Sequence, residues 1–185
     1  MIRKLFALIM FLLSLGAIVM ALFGVVVIWK NDTLDSIASL GSSSAKEEYT
    51  GLMLFFGKTD KDHLLNFAQN WLGYAVIGCL LASAVCALLR VIMPGTGGDI
   101  LDGILILASL GAGILLLLVT QKFAIKFDLD NCNALIRVFN GNTQEGMYKF
   151  VSGDLAIGAG AILGALCCLA NVVLGVLDTM VNRRK

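Results

Sequence analysis

The sequence predicts an all-α integral membrane protein: a bundle of four transmembrane helices with two extracellular loops. Of its 185 residues, 58% are hydrophobic and only 15% are charged, and the mean hydropathy is +0.89. A soluble domain contains roughly 45–50% apolar and about 25% charged residues. The excess apolar residues lie in four long runs, so we expect residues 1–185 to form a single membrane domain.

Each run is long enough to cross a membrane, which takes about 17–25 apolar residues. We place the spans at residues 5–29, 71–93, 100–121 and 155–177. The first run resembles a signal peptide at its start, with Arg3 and Lys4 before the apolar stretch. The apolar residues continue well past a hydrophobic region of 7–15 residues, however, so we expect a retained span.

The distribution of basic residues predicts the orientation. One side of the predicted membrane holds a dense group in short segments: Arg3, Lys4, Arg90, Arg183, Arg184 and Lys185. The other side holds more basic residues, but they are spread over much longer loops. We therefore expect both termini in the cytoplasm, with the protein in a plasma membrane or a bacterial inner membrane.

The first outer loop, at residues 30–70, contains an apolar stretch that is too short to span a membrane. Its candidate interaction residues are Leu52, Met53, Phe55 and Phe56. This stretch either docks a partner, lies at the membrane interface, or packs on the ends of the helices. These alternatives are open at the level of sequence.

The second outer loop covers residues 122–150 and allows two local structures. Residues 136–139, an Asn-Gly turn and residues 147–150 are consistent with a short hairpin. A helix over residues 134–139 is equally consistent. Lys122 and Lys126 lie one turn apart and are placed to reach the lipid headgroups.

Polar residues inside the spans are few. Between their ends the spans contain no Asp, Glu, Lys or His, which argues against a pump or an ion-coupled transporter. Asn171 is the most polar residue at depth, and we expect it to form a hydrogen bond between helices. Asp99 and Asp102 lie in the first turn of the third span, where a negative charge interacts favourably with the helix dipole and stabilises the helix. Binding of a cation by this pair is the alternative.

Small residues recur at four-residue spacing in the spans, which predicts close helix packing. The candidates are Ala156, Gly160, Gly164 and Cys168 in the fourth span, and Ala75, Cys79 and Ser83 in the second. They serve either the internal bundle or an oligomer.

The sequence gives little support to enzyme chemistry. His63 is the only histidine, so a site with two imidazole ligands is excluded, and we predict no catalytic residue, metal or cofactor. The net charge of +1 includes no basic block, which argues against nucleic acid as a partner. Four of the five cysteines lie in spans, so a disulfide between the outer loops is excluded. Cys132, the one cysteine outside the spans, either forms a bridge between two copies or stays reduced.

A layout of four spans with two outer loops is shared by claudins, tetraspanins and connexin-like channels. The first outer loop contains no cysteine and the second contains only Cys132, so the cysteine patterns of these families are missing. The likeness is one of topology, and the sequence predicts no family.

Two functional hypotheses follow. The first is a non-enzymatic accessory or assembly subunit of a membrane complex, which acts through contact with another membrane protein or with itself. The second is a homo-oligomeric channel with its pore between subunits, lined by Asn171 or by a ring of Lys122 and Lys126. In either case the bilayer surrounds the spans.

Overall fold

Four long apolar helices form the frame of the protein, and a three-stranded sheet lies at one end of them. The computed structural model describes residues 2–30, 46–57, 65–92, 98–132 and 143–183. In chain order the elements are α1 (Ile2–Phe23), β1 (Val25–Lys30), β2 (Lys46–Thr50), α2 (Gly51–Phe56), α3 (Trp71–Ile92), α4 (Gly98–Leu117), a 3₁₀ turn (Lys122–Ala124), α5 (Gln144–Val151), β3 (Leu155–Ile157) and α6 (Ala159–Arg183). By length and composition, α1, α3, α4 and α6 are each able to cross a membrane, as the sequence predicts.

The four long helices pack in a ring. Helix α1 contacts α3 and α6, and α4 contacts the same two neighbours, so α3 and α6 are diagonal to each other. The sheet lies where α1 ends and α6 begins, because β1 follows α1 and β3 precedes α6. We call this the sheet end of the bundle.

The first predicted span is wrong at its C-terminal end. Helix α1 ends at Phe23, and residues 25–29, which we had included in the span, belong to strand β1. Gly24 separates the two elements, and the β-branched run Val25–Ile28 after it favours an extended chain. The hydropathy that we assigned to one helix therefore comes from a helix and a buried strand.

Strand β1 is the centre of the sheet, whose order is β2-β1-β3 with both pairings antiparallel. Val27 is paired with Tyr49 on one side and with Ile157 on the other. Trp29 and Tyr49 are fully buried, and they belong to one hydrophobic core that continues from the sheet into the helical bundle. The sequence predicted an all-α fold, and this is wrong in one respect: the helical bundle carries a small sheet.

The fourth span and the second outer loop also differ from the prediction. Residues 155–157 form β3, so the fourth helix starts at Ala159, and Ala156 is an exposed strand residue rather than a helix-packing residue. Residues 147–150 are helical within α5, which excludes the second strand of the predicted hairpin. The Thr143 hydroxyl caps this helix by accepting a hydrogen bond from the Gly146 N–H at 3.1 Å. Residues 134–139 of the alternative helix lie outside the described residues.

Helix α2 joins the sheet to the bundle. It follows β2 without a linker, ends at Phe56 and is capped by Gly57, which has φ +68°. This left-handed conformation is accessible to glycine without steric cost and lets the chain leave the helix sharply. The N–H of Asn70 then donates to the carbonyl of Phe55, which fixes the start of α3 beside α2.

Candidate functional site

Four polar side chains, one from each long helix, meet in the centre of the bundle. They are Ser14, Ser83, Ser109 and Asn171, and each is at most 1% exposed. Each also lies within two residues of the midpoint of its candidate span. We call this set the polar layer, and it places hydrogen-bonding groups at the depth where lipid offers none.

The hydrogen bonds of the polar layer form one connected chain. The Asn171 amide donates to the Ser14 hydroxyl at 2.9 Å, which is the interhelical bond that the sequence predicts for Asn171. Ser14 in turn donates to the carbonyl of Met10 at 2.9 Å, so the 3.0 Å contact with Ser83 is a bond donated by Ser83. The same reasoning makes Ser109 the donor to Ser83 at 2.7 Å. A polar chain with a defined direction therefore connects all four helices.

A second polar group lies at the end of the bundle opposite the sheet. Arg90 of α3 forms ion pairs with Asp102 of α4 and with Asp178 of α6, and all three side chains are at most 3% exposed. We call them the ionic triad. Charged residues inside membrane segments face the bundle interior and pair with each other, because an unpaired charge there is costly.

The ionic triad changes our interpretation of two residues. We expected Asp102 either to stabilise the third helix through its dipole or to bind a cation together with Asp99. The structure instead pairs Asp102 with Arg90. The side chain of Asp99 lies outside the described part of the chain. Asp178, which the sequence did not single out, is fully buried and is the second partner of Arg90.

A layer of apolar side chains separates the two polar groups. Met10, Ala87 and Leu105 are fully buried in one cluster, against which Leu174 packs. Along α6, Asn171 and Asp178 are seven residues apart with Leu174 between them, and Ser83 and Arg90 have the same spacing on α3. The interior of the bundle is therefore filled at each of these three levels.

Most of the predicted packing residues lie where helices approach closely. A Cβ added to Gly160 would lie 2.8 Å from the Cα of Gly24, and one added to Gly164 would lie 3.0 Å from Leu116 Cδ1. Cys168 and Ser83 are buried, whereas Ala75 and Cys79 are half-buried at the edge of α3. The glycines of α6 thus serve the internal bundle, where α6 meets α1 and α4.

The predicted interaction residues divide into two groups. Phe55 is fully buried, so it belongs to the hydrophobic core and is not available to a partner. Leu52, Met53 and Phe56 are partly buried, and Met53 and Phe56 also pack against the edge of this core. The Phe56 ring makes an edge-to-face contact with Tyr74 at 5.5 Å.

Two exposed aromatic residues continue this surface onto α3. Trp71 and Tyr74 are 61% and 52% exposed, and they lie three residues apart on one side of the helix. Together, Leu52, Met53, Phe56, Trp71 and Tyr74 form what we call the interfacial patch. Exposed aromatic side chains at a helix end are typical of the boundary between lipid and water.

Helix α2 packs tightly between α1 and α3, and we call this helix with its close contacts the wedge. A Cβ at Gly51 would lie 1.7 Å from the carbonyl oxygen of Ala21, and one at Gly73 would lie 2.3 Å from Phe55 Cβ. No side chain fits at either glycine without moving backbone. The interfacial patch is therefore held rigidly on the bundle.

Two ionisable groups at the sheet end of the bundle have shifted pKa values. Burial, and then the charge of Glu47, raise the pKa of Tyr49 above its ordinary value of 10.0, and the phenol donates a hydrogen bond to that carboxylate. At the surface, a hydrogen bond and the positive charge of Lys122 lower the pKa of Glu145 below 4.5, at an Nζ–Oε1 distance of 3.0 Å.

The remaining predictions concern Cys132 and the pore candidates. Cys132 is 4% exposed, and its thiol donates to the carbonyl of Asn66 at 3.5 Å, so a second copy has no access to the sulfur in this conformation. The Asn171 side chain is buried inside its own bundle and bonded to Ser14. In this position it does not reach a pore between subunits. Lys122 and Lys126 are exposed. In the part of the chain that the structure describes, no group of His, Cys, Asp and Glu is arranged to hold a metal ion.

Comparison with known proteins adds no relative. No family model, curated protein or solved structure matches this chain.

Proposed function

We propose that this protein is a non-enzymatic subunit of a membrane complex, which contacts another membrane protein through the interfacial patch. The observation that carries the proposal is the tight packing of α2, which gives a rigid support to a surface where Trp71 and Tyr74 are exposed beside the partly buried apolar side chains of α2. A preorganised surface loses little conformational entropy on binding, which favours a specific partner. In our proposal the sheet end is extracytoplasmic and both termini are cytoplasmic.

The chemistry of the interfacial patch favours a partner that is itself in the membrane. Phe56, Trp71 and Tyr74 are aromatic, and aromatic residues are enriched in protein interfaces and at membrane boundaries. The patch continues from α2 onto α3, so a partner would contact both helices. Phe55 supports this surface from beneath by filling the space against Gly73.

Site-specific photo-cross-linking tests this proposal. A benzophenone amino acid at Trp71 should give one discrete protein adduct in native membranes, and the same group at exposed Ser152 should not. Trp71→Glu should weaken recovery of that partner without lowering the amount of folded protein, since the Trp71 side chain is 61% exposed. If the adducts at Trp71 contain only lipid, or if they match those at Ser152, the proposal is wrong.

A further inference from the structure

A groove between α4 and α6 opens towards the surrounding bilayer. Its volume is about 190 Å³, and its lining includes Ser109, Gly113 and Leu117 on α4 and Ala165 and Leu166 on α6. Gly113 and Ala165 are small, so the helices leave a depression between the larger exposed side chains. The lining is apolar except for Ser109, whose hydroxyl is already hydrogen-bonded to Ser83.

The length of the groove along the helices is close to the thickness of one bilayer leaflet. It runs from Ser109, at the level of the polar layer, to Leu117 at the last residue of α4. Eight helical residues correspond to a rise of about 12 Å, and half of a ~30 Å hydrocarbon core is about 15 Å. A hydrocarbon chain that enters from the sheet end would thus fill the groove down to the midplane.

A net positive cluster lies at the sheet end of α4. Lys122 follows Leu117 by five residues, and Glu145 on α5 interacts with both Lys122 and Lys149. Two cations and one carboxylate leave an excess of one positive charge. Helix α5 is held over the end of α4 by Tyr148, whose hydroxyl donates to the carbonyl of Thr120 at 3.2 Å.

We propose that this groove binds one acyl chain of an anionic phospholipid from the sheet-end leaflet, with the headgroup phosphate at Lys122 and Lys149. The apolar lining matches the methylene chain, and the excess positive charge complements the phosphate. This site is on a different face from the interfacial patch, so it is independent of the proposed function.

Native mass spectrometry of the detergent-solubilised protein tests the site with two defined lipids. Palmitoyl-oleoyl phosphatidylglycerol should be retained more strongly than the phosphatidylcholine with the same chains. One lysine near a membrane surface contributes about 1 kcal/mol, which is about a fivefold preference. Lys122→Gln with Lys149→Gln should abolish this preference, whereas Lys46→Gln, an exposed lysine on β2, should leave it unchanged.

A matched pair of substitutions tests the acyl-chain part of the site. Leu166 lines the groove and is 54% exposed, whereas Leu163 lies three residues earlier, is 45% exposed and does not line it. Leu166→Trp should cover the groove and reduce retention of both lipids, and Leu163→Trp should not. Equal retention of the two lipids by the wild type, or no difference between the Trp variants, overturns the proposal. A change of oligomeric mass in Leu166→Trp without a change in lipid retention also overturns it, since the occupant would then be a second copy.

Discussion

Arg90 and Asp178 lie on helices that are diagonal to each other in the bundle, and their side chains form an ion pair through its interior. The guanidinium also reaches Asp102 on the helix between them, so one cation joins three of the four long helices. Burial of all three groups means that water does not screen these contacts.

Removal of Arg90 should therefore be strongly destabilising. Arg90→Met takes the guanidinium from two buried carboxylates, and loss of one partner from a buried ion pair costs about 3–5 kcal/mol. Arg90→Lys should also be destabilising, because an ammonium lacks the planar fork that contacts two carboxylates at once. The measurement is the midpoint of thermal unfolding in detergent. A triple variant, Arg90→Met with Asp102→Leu and Asp178→Leu, should recover stability; a stable Arg90→Met protein would contradict the role of the ionic triad.

Each hydrogen bond of the polar layer should contribute much less to the stability of the protein than the ion pairs of the ionic triad do. Interhelical hydrogen bonds in membrane proteins average about 0.6 kcal/mol and reach about 1.7 kcal/mol. A double-mutant cycle of Ser14→Ala and Asn171→Ala should give a coupling energy in this range, because their contact is a direct hydrogen bond of 2.9 Å. A cycle of Asn171→Ala with Thr179→Ala is the control, since Thr179 bonds within its own helix. Equal coupling in the two cycles would count against the polar layer.

Two glycines of α3 provide a direct test of the wedge. Gly73→Ala should be destabilising by about 1–3 kcal/mol, the usual range for overpacking, because the new Cβ would lie 2.3 Å from Phe55 Cβ. Gly78→Ala should be neutral or stabilising by up to about 1 kcal/mol, since its Cβ would meet nothing within 4 Å and alanine favours helix. Unfolding midpoints of the two variants are the measurement. If both have the same stability, α2 is not held as described.

Tyr49 should make the stability of the protein depend on pH in the alkaline range. Its folded-state pKa is raised, so the folded state keeps the proton while the unfolded chain releases it above pH about 10. The contribution to stability is complete below that pH and is lost as the pH rises further. Unfolding midpoints between pH 8 and pH 11 should fall less steeply in Tyr49→Phe, and Glu47→Gln should have an intermediate slope. Identical slopes in the wild type and Tyr49→Phe would exclude Tyr49 as a cause of the pH dependence.

The spans were predictable because a run of apolar residues identifies a membrane helix without any tertiary information. The junctions of α1 with β1 and of β3 with α6 were not, because hydropathy alone does not distinguish a buried strand from the end of a span. Gly24 before Val25–Ile28 and Gly158 before Ala159 are the local signals, and they require weight on β-branched residues rather than on hydropathy.

The polar interior was only partly predictable. Asn171 is conspicuous in an apolar run, but Ser14, Ser83 and Ser109 resemble ordinary small packing residues. The informative signal is the seven-residue spacing that places Ser83 and Arg90, Asp102 and Ser109, and Asn171 and Asp178 on the inward face of their helices. That spacing is the heptad period of left-handed helix packing. The pairing of Arg90 with Asp178 across a diagonal depends on the helix order in the ring, which one sequence does not reveal.

The most direct test of the central claim is the mass of the particle obtained by gentle solubilisation, with the protein and detergent contributions separated. We predict a particle that contains this chain and a second membrane protein, and we expect that protein to be lost in Trp71→Glu and retained in Lys46→Gln. A particle with this chain as its sole protein, of the same mass in the wild type and in Trp71→Glu, would contradict the proposed docking function.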